Sequence, residues 1–244
     1  MAGHSKWANI KHKKERSDAK KGKIFSRIAK EIISAVKLGG GPDSKNNPRL
    51  RLALQKAKAA NVPNDIIDRN IKKASNADQG DYFEMTYEIY AHGGVGLIVE
   101  IMTDNKNRTS SEMRIATNKR GGTIANPGAV AFNFDKKGII QIAKKNAVED
   151  ELFLVATEAG AEDFDKTDDL YVITTDPAQL YTVKEAINKQ GIKSEEASLE
   201  MIPKSYVESD VETTKANLAL IDWLEQLEDV DAVYHNMVIP EELM

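Results

Sequence analysis

Four bases recur at helical spacing near the start of the chain: Lys23, Arg27, Lys30 and Lys37. At about 100° per residue they fall within roughly 80° of one another, opposite a face of Ile24, Phe25, Ile28, Ile32, Ala35 and Val36. Cations gathered on one side of a helix, with apolar side chains on the other, can neutralise a run of phosphates. Glu31 is the one acid nearby in sequence to neutralise them, so the four bases read as a binding face rather than a merely solvated one. Upstream lie Lys6, Lys11, Lys13, Lys14, Lys20 and Lys21. Residues 1–16 offer only Trp7 and Ile10 as large apolar side chains, too little to offset the entropy of ordering, and read as a mobile basic arm. Trp7 reads first as a pin holding that arm to the following helices, ahead of a base-stacking role. Downstream, Arg49 and Arg51 flank the apolar stripe of a second helix and extend the candidate nucleic-acid surface.

The charge is strongly segregated. Residues 1–75 hold 14 lysines and five arginines against six acids, a net of +13, whereas the other 169 residues hold 15 bases against 32 acids, a net of −17. A basic end on an acidic body calls for a polyanion partner at that end, most simply nucleic acid, and leaves the acidic part to meet protein partners. A second anion site is conceivable within the acidic part, where Asn105, Asn107, Arg108 and Arg114 surround the start of a helix. A simply capped helix with ordinary surface bases explains that stretch equally well.

Catalytic chemistry finds no foothold. With no cysteine, thiol nucleophiles, disulfides and Cys-ligated zinc are excluded. His4, His12, His92 and His235 have no ligand spacing, and neither a nucleophile elbow nor a phosphate loop occurs. Neither catalytic residues, metal ligands nor cofactors are expected. No apolar run approaches the roughly 18–20 residues of a membrane span, and the start lacks a secretory core, so a cytoplasmic protein without membrane contact is expected.

The elements that must position these residues follow from periodicity and caps. A helix is predicted from about Ser17 to Leu38, ending at Gly39-Gly40-Gly41-Pro42. A second opens at Asn47-Pro48 and a third at Asn64, with Asp65 and Asp68 early and Lys72 and Lys73 late, as the macrodipole favours. After a polar linker at 75–80, alternation from Phe83 to Ile89 predicts a strand, turned at His92-Gly93-Gly94 into a second, Val95–Met102. Thr109 and Glu112 have capping-box spacing for a helix ending at Gly121-Gly122, and Ala129–Phe134 reads as another strand. Residues 138–202 contain a repeat, with helices capped at Asn146/Glu149 and Asp176/Gln179. Its βαββαβ order is the ferredoxin-like one. Ser209/Glu212 opens a last helix and Val230–Val238 a last strand. The expected fold class is α+β: a three-helix domain over 1–75, an α/β domain made of 81–136 plus 204–240, and a ferredoxin-like insert over 137–203.

The stretches MAGHSKWANIKHKK, GKIFSRIAKEI, KLGGGPD, NPRLR, YEIYAHGGVG, TDNKNRT and VYHNM resemble the YebC/PmpR family nearly end to end. That family also includes mitochondrial translational activators for a cytochrome oxidase subunit. The resemblance implies a three-helix N-terminal domain and two α/β domains, one inserted in the other. It also implies a non-enzymatic regulator of gene expression, described for bacterial members as a DNA-binding transcriptional regulator. The alternative it carries is a ribosome-associated translation factor contacting rRNA or tRNA, including during synthesis of proline-rich stretches.

Overall fold

The computed structural model describes residues 21–75 and 81–243. The basic arm, with Lys6, Lys11, Lys13, Lys14, Lys20 and the proposed Trp7 pin, lies outside the described residues, as does most of the 75–80 linker. Three helices come first: α1 (Lys21–Leu38), α2 (Pro48–Ala59) and α3 (Asn64–Ala74). They close on a core of Ile28, Ile32, Val36, Leu50, Ala53, Ala57 and Val62.

One side chain fixes the α1–α2 corner. Asn47 is fully buried; its amide donates to Ala35 O and Gly41 O, both at 2.8 Å, and its Oδ1 accepts from Leu50 N at 2.9 Å. All the groups that burial strips of water thus find partners. A Cβ at Gly39 would stand 2.3 Å from Asn47 Oδ1, so the first glycine of the GGG run is there for space, while Gly40 and Gly41 take the positive φ of the turn. Helix α3 departs from expectation in its cap: Asn64 is its first residue and Pro63 precedes it, with no side-chain cap.

Next come β1 (Phe83–Tyr90) and β2 (Gly96–Thr103), an antiparallel hairpin joined through a single 3₁₀ turn at His92–Gly94. Helix α4 (Lys106–Arg120) and the two-residue β3 (Thr123–Ile124) follow. The N-cap of α4 is Asn105, whose Oδ1 accepts from Arg108 N, so the helix begins a turn before the Thr109/Glu112 box. It ends at Gly121, in the left-handed region, where a Cβ would also strike the His92 ring at 2.3 Å. After an interval described below, helix α7 (Val211–Gln226) and strand β8 (Val230–His235) complete this domain, the sheet order being β3-β1-β2-β8 with antiparallel neighbours. Asp210, one residue after the expected Ser209, caps α7 by accepting from Thr213 N. Met113 and Ala116 of α4 and Leu220, Ile221 and Leu224 of α7 pack on Ile89, Leu97, Val99 and Val233, all from one sheet face.

Residues 132–205 form a separate compact unit. It contains β4 (Phe134–Ala143), α5 (Glu149–Glu158), β5 (Ala161–Lys166), β6 (Leu170–Thr175), α6 (Leu180–Lys189) and β7 (Glu196–Pro203). The strand order β5-β6-β4-β7, all antiparallel, is that of a ferredoxin-like sheet. Leu152, Ala156, Leu180, Val183 and Ile187 cover Ile140, Ile142 and Ile173. The sequence signals at 146 and 176 are displaced. Asn146 belongs to a 3₁₀ turn, and Asp176 Oδ1 accepts from Ala178 N in a turn, so neither caps a helix.

The expected strand Ala129–Phe134 is not formed. Gly128 and Ala129 turn, Ala131–Asn133 is a 3₁₀ turn, and the strand starts only at Phe134. The cause is Glu88 on β1, whose carboxylate accepts from Gly128 N (2.6 Å), Val130 N (2.6 Å) and Ala131 N (2.8 Å). Those donors are taken by a side chain and are not available to a β-ladder.

Candidate nucleic-acid interface

The first unit spans the helical bundle and the β3-β1-β2-β8 sheet, and its polar centre lies where α1 meets β2 and β8. Arg27, Lys30 and Lys37 are not free, contrary to the reading that Glu31 is their only acid. Arg27 Nε lies 3.3 Å from Glu31 and 3.6 Å from Asp231, and Nη2 lies 3.7 Å from Glu100. Lys30 is 8 % exposed; its Nζ donates to Met102 O at 3.2 Å and Glu228 O at 3.1 Å and sits 3.5 Å from Asp229. Lys37 pairs with Asp81 at 3.1 Å, and Arg49 pairs with Glu84. The acids come from segments distant in sequence, which is why one helix read alone showed only Glu31.

Asp229, 2 % exposed, is the hub. Arg108 reaches it with Nη2 at 2.9 Å from Oδ1 and 2.7 Å from Oδ2, and with Nε at 3.2 Å from Oδ2. The hydroxyls of Thr103 and Thr109 stand 3.0 and 2.9 Å from Oδ2. Burial alone would raise its pKa, but the hydrogen bonds from Arg108, Thr109 and Thr103, with the charge of Lys30, hold the carboxyl below its ordinary value. This geometry revises the second anion site. Arg108 is committed to Asp229 and, at 2.9 Å, to Asp104, while Asn105 fills the α4 N-terminus as its cap. Arg114 and Asn107 are exposed on a face of α4 roughly 120° away from Arg108. The four residues do not converge.

Asp231 is the extra residue of a β-bulge, for the β2–β8 register steps from Glu100↔Ala232 to Ile101↔Val230. The bulge turns its carboxylate toward Arg27. Burial pushes the Asp231 carboxyl up to about 6; Arg27 and Lys30 oppose the rise, while Glu31 and Glu100 add to it. The folded pKa exceeds the ordinary 3.8, so the folded state holds the extra proton between about pH 4 and 6. The stability contributed by that proton is present below the window and lost as pH rises through 6. Asp231→Asn is therefore expected to raise stability at pH 7 by about 1–3 kcal/mol and to flatten the profile between pH 4 and 6. Urea denaturation at pH 4.5 and 7 measures both; a variant less stable than the parent at pH 7 would contradict it.

Sequence reasoning passed over Glu100, Asp229 and Asp231, though one signal was present. Glu225, Glu228, Asp229 and Asp231 crowd the end of α7, whose last turn has no base. Acids at a helix C-terminus oppose the macrodipole, which marks them as held there by cations from elsewhere.

The outward faces of the other two helices differ. Arg51 and Lys58, roughly 20° apart around α2, are exposed, as are Arg69, Lys72 and Lys73 on α3, and none has an ion-pair partner among the described residues. Lys21 and Lys23 lie within α1. Among the described residues no group of three or more His, Asp or Glu is arranged to hold a metal ion, and no helix is long and apolar enough to cross a membrane.

A basic helical bundle ion-paired onto a split α/β domain that carries a ferredoxin-like insert defines a three-part α+β protein with its polar centre at a domain contact. The chain belongs to the TACO1/YebC family: residues 5–77 match the family's N-terminal domain and residues 82–237 its second and third domain. It is 76% identical over 243 residues to a probable transcriptional regulatory protein of Protochlamydia amoebophila, covering 100% of this chain and 99% of that one. It is 58% identical over 238 residues to a protein of the same description from Chlamydia pneumoniae, covering 97% and 100%. The crystal structure of a conserved hypothetical protein from Aquifex aeolicus superposes with a TM-score of 0.82 at 43% identity, covering 98% of each chain.

Proposed function

We propose that the protein is a non-enzymatic, nucleic-acid-binding regulator of gene expression, acting on DNA as a transcriptional regulator. The observation that carries this reading is the charge segregation. Setting Arg27, Lys30, Lys37 and Arg49 against acids outside residues 1–75 takes four from the net of +13 and leaves +9, and Arg51, Lys58, Arg69, Lys72 and Lys73 remain exposed and unpaired among the described residues. Bases so displayed contact phosphates, which position a duplex without reading its sequence. The description of the relatives as probable transcriptional regulatory proteins supports a regulatory role, and their naming as regulators fits the lack of a catalytic constellation.

The test is a mixed-sequence DNA duplex titrated with the full chain and with Arg51→Glu/Lys58→Glu. The variant is expected to bind at least about tenfold more weakly, and its salt dependence to lose about two phosphate equivalents. Unchanged affinity would remove the outward face of α2 from the interface. Crosslinking in cells with sequencing of bound DNA and RNA identifies the target, and reads falling mainly on rRNA and tRNA would replace the transcriptional reading with the translational one.

A further inference from the structure

We propose that the Arg27–Lys30–Lys37 face of α1 is a masked polyanion-binding surface, covered by carboxylates of the sheet domain until a nucleic-acid phosphate backbone displaces them. The inference rests on the nucleic-acid reading above and adds a second, conditional surface to it. Carboxylate and phosphate oxygens make the same charge-assisted bonds to guanidinium and ammonium groups. Glu100, Asp229 and Asp231 thus stand where phosphates would stand on a basic helix.

Three features make this contact separable. The apolar core of the bundle and that of the sheet domain share no buried residue, so what joins them at α1 is largely polar. Contacts of that character between domains permit relative motion. The Arg27 contacts across the domains are also long, 3.6 and 3.7 Å, well outside the range of short charge-assisted hydrogen bonds. Finally, acids outnumber bases around Arg27. Glu31, Glu100 and Asp231 share it, with Lys56 taking only Glu31 at 2.8 Å, and the mutual repulsion of the three carboxylates limits the depth of the closed state. Lys30 is the most enclosed of the three bases, so its release marks full opening. A surface accessible only in the open form has its apparent affinity reduced by the open fraction, so fixing the closed form weakens binding and removing that constraint restores it.

The chain has no cysteine, so Arg27→Cys/Glu100→Cys supplies the only two thiols. A bis-maleimide with a cleavable disulfide core then ties α1 to β2, and reduction frees it with the protein's charge almost unchanged. A mixed-sequence DNA duplex and total tRNA are the probes. The tied form is expected to bind about tenfold more weakly than the cleaved form, with a log–log salt slope shallower by about one to two because Lys30 and Lys37 stay covered. Equal affinity and slope before and after cleavage would overturn the masking while leaving the nucleic-acid reading in place. Absence of binding by the unmodified chain to either probe would overturn both.

Discussion

Asp229→Ala is expected to lower the unfolding free energy by about 3–5 kcal/mol, the loss typical when one partner of a buried charge pair is removed. The size follows from what the substitution leaves behind. Lys30 remains buried with only the carbonyls of Met102 and Glu228 for its ammonium, and Thr103 and Thr109 lose a shared acceptor. Arg108 is less affected, since its guanidinium is 38% exposed and keeps Asp104. Arg108→Ala is accordingly expected to cost less, about 1–2 kcal/mol, because Asp229 would keep Lys30 and both hydroxyls. The pH dependence separates the hub from a packing effect. The folded pKa of Asp229 is depressed, so its contribution is present above the ordinary 3.8 and is lost as pH falls through the folded value. The parent should therefore lose stability in that acid window, and Asp229→Ala should lack that part of the loss. Urea denaturation followed by tryptophan fluorescence, with Trp223 on the affected helix α7, measures both. A loss below 1 kcal/mol at pH 7 would mean that the hub is decoration.

What the sequence disclosed, and what it hid, divides along the range of the interactions. Helix α2 was legible because Asn47-Pro48 is a self-contained start signal, and strand β6 because an apolar run sits between turn residues. The ferredoxin-like unit was legible as a repeat, although its caps were misplaced, since hydrophobic periodicity fixes an element better than a lone polar residue fixes its end. Arg27, Lys30 and Lys37 do share one helix, as their spacing indicated. Their availability was misjudged, because Asp229 and Asp231 lie about 200 residues further along the chain, the second on a bulge that no spacing rule announces. Arg108 failed as an anion-site residue for the same reason: its partner Asp229 is 121 residues away. Periodicity says which way a side chain points, and only the tertiary fold says what is already there.

Glu88 carries that lesson furthest. By alternation it is a polar residue on the outer face of β1, yet it is 7% exposed and its carboxylate gathers three backbone N–H groups from residues 128–131. Burial by itself would raise its pKa; the donors at Gly128, Ala131 and Val130 together outweigh that and hold it below the ordinary value. Glu88→Ala is expected to cost about 3–4 kcal/mol, because three donors folded around an anion would lose it at once. Glu88→Gln keeps one acceptor oxygen but sets its amide N–H₂ against the remaining donors, and should recover less than half of that loss. The contribution of the ionised carboxylate is present above 4.5 and disappears as pH falls through the depressed folded value. The loop should report the loss before the domain does. In Glu88→Ala, amide hydrogen exchange at Gly128, Val130 and Ala131 is expected to approach the rate of an open loop, while exchange in β2 accelerates only by the few hundredfold that about 3–4 kcal/mol of global stability sets. If those three amides keep their protection in the variant, the loop is held by something other than the carboxylate, and the explanation given for the missing strand at 129–134 fails with it.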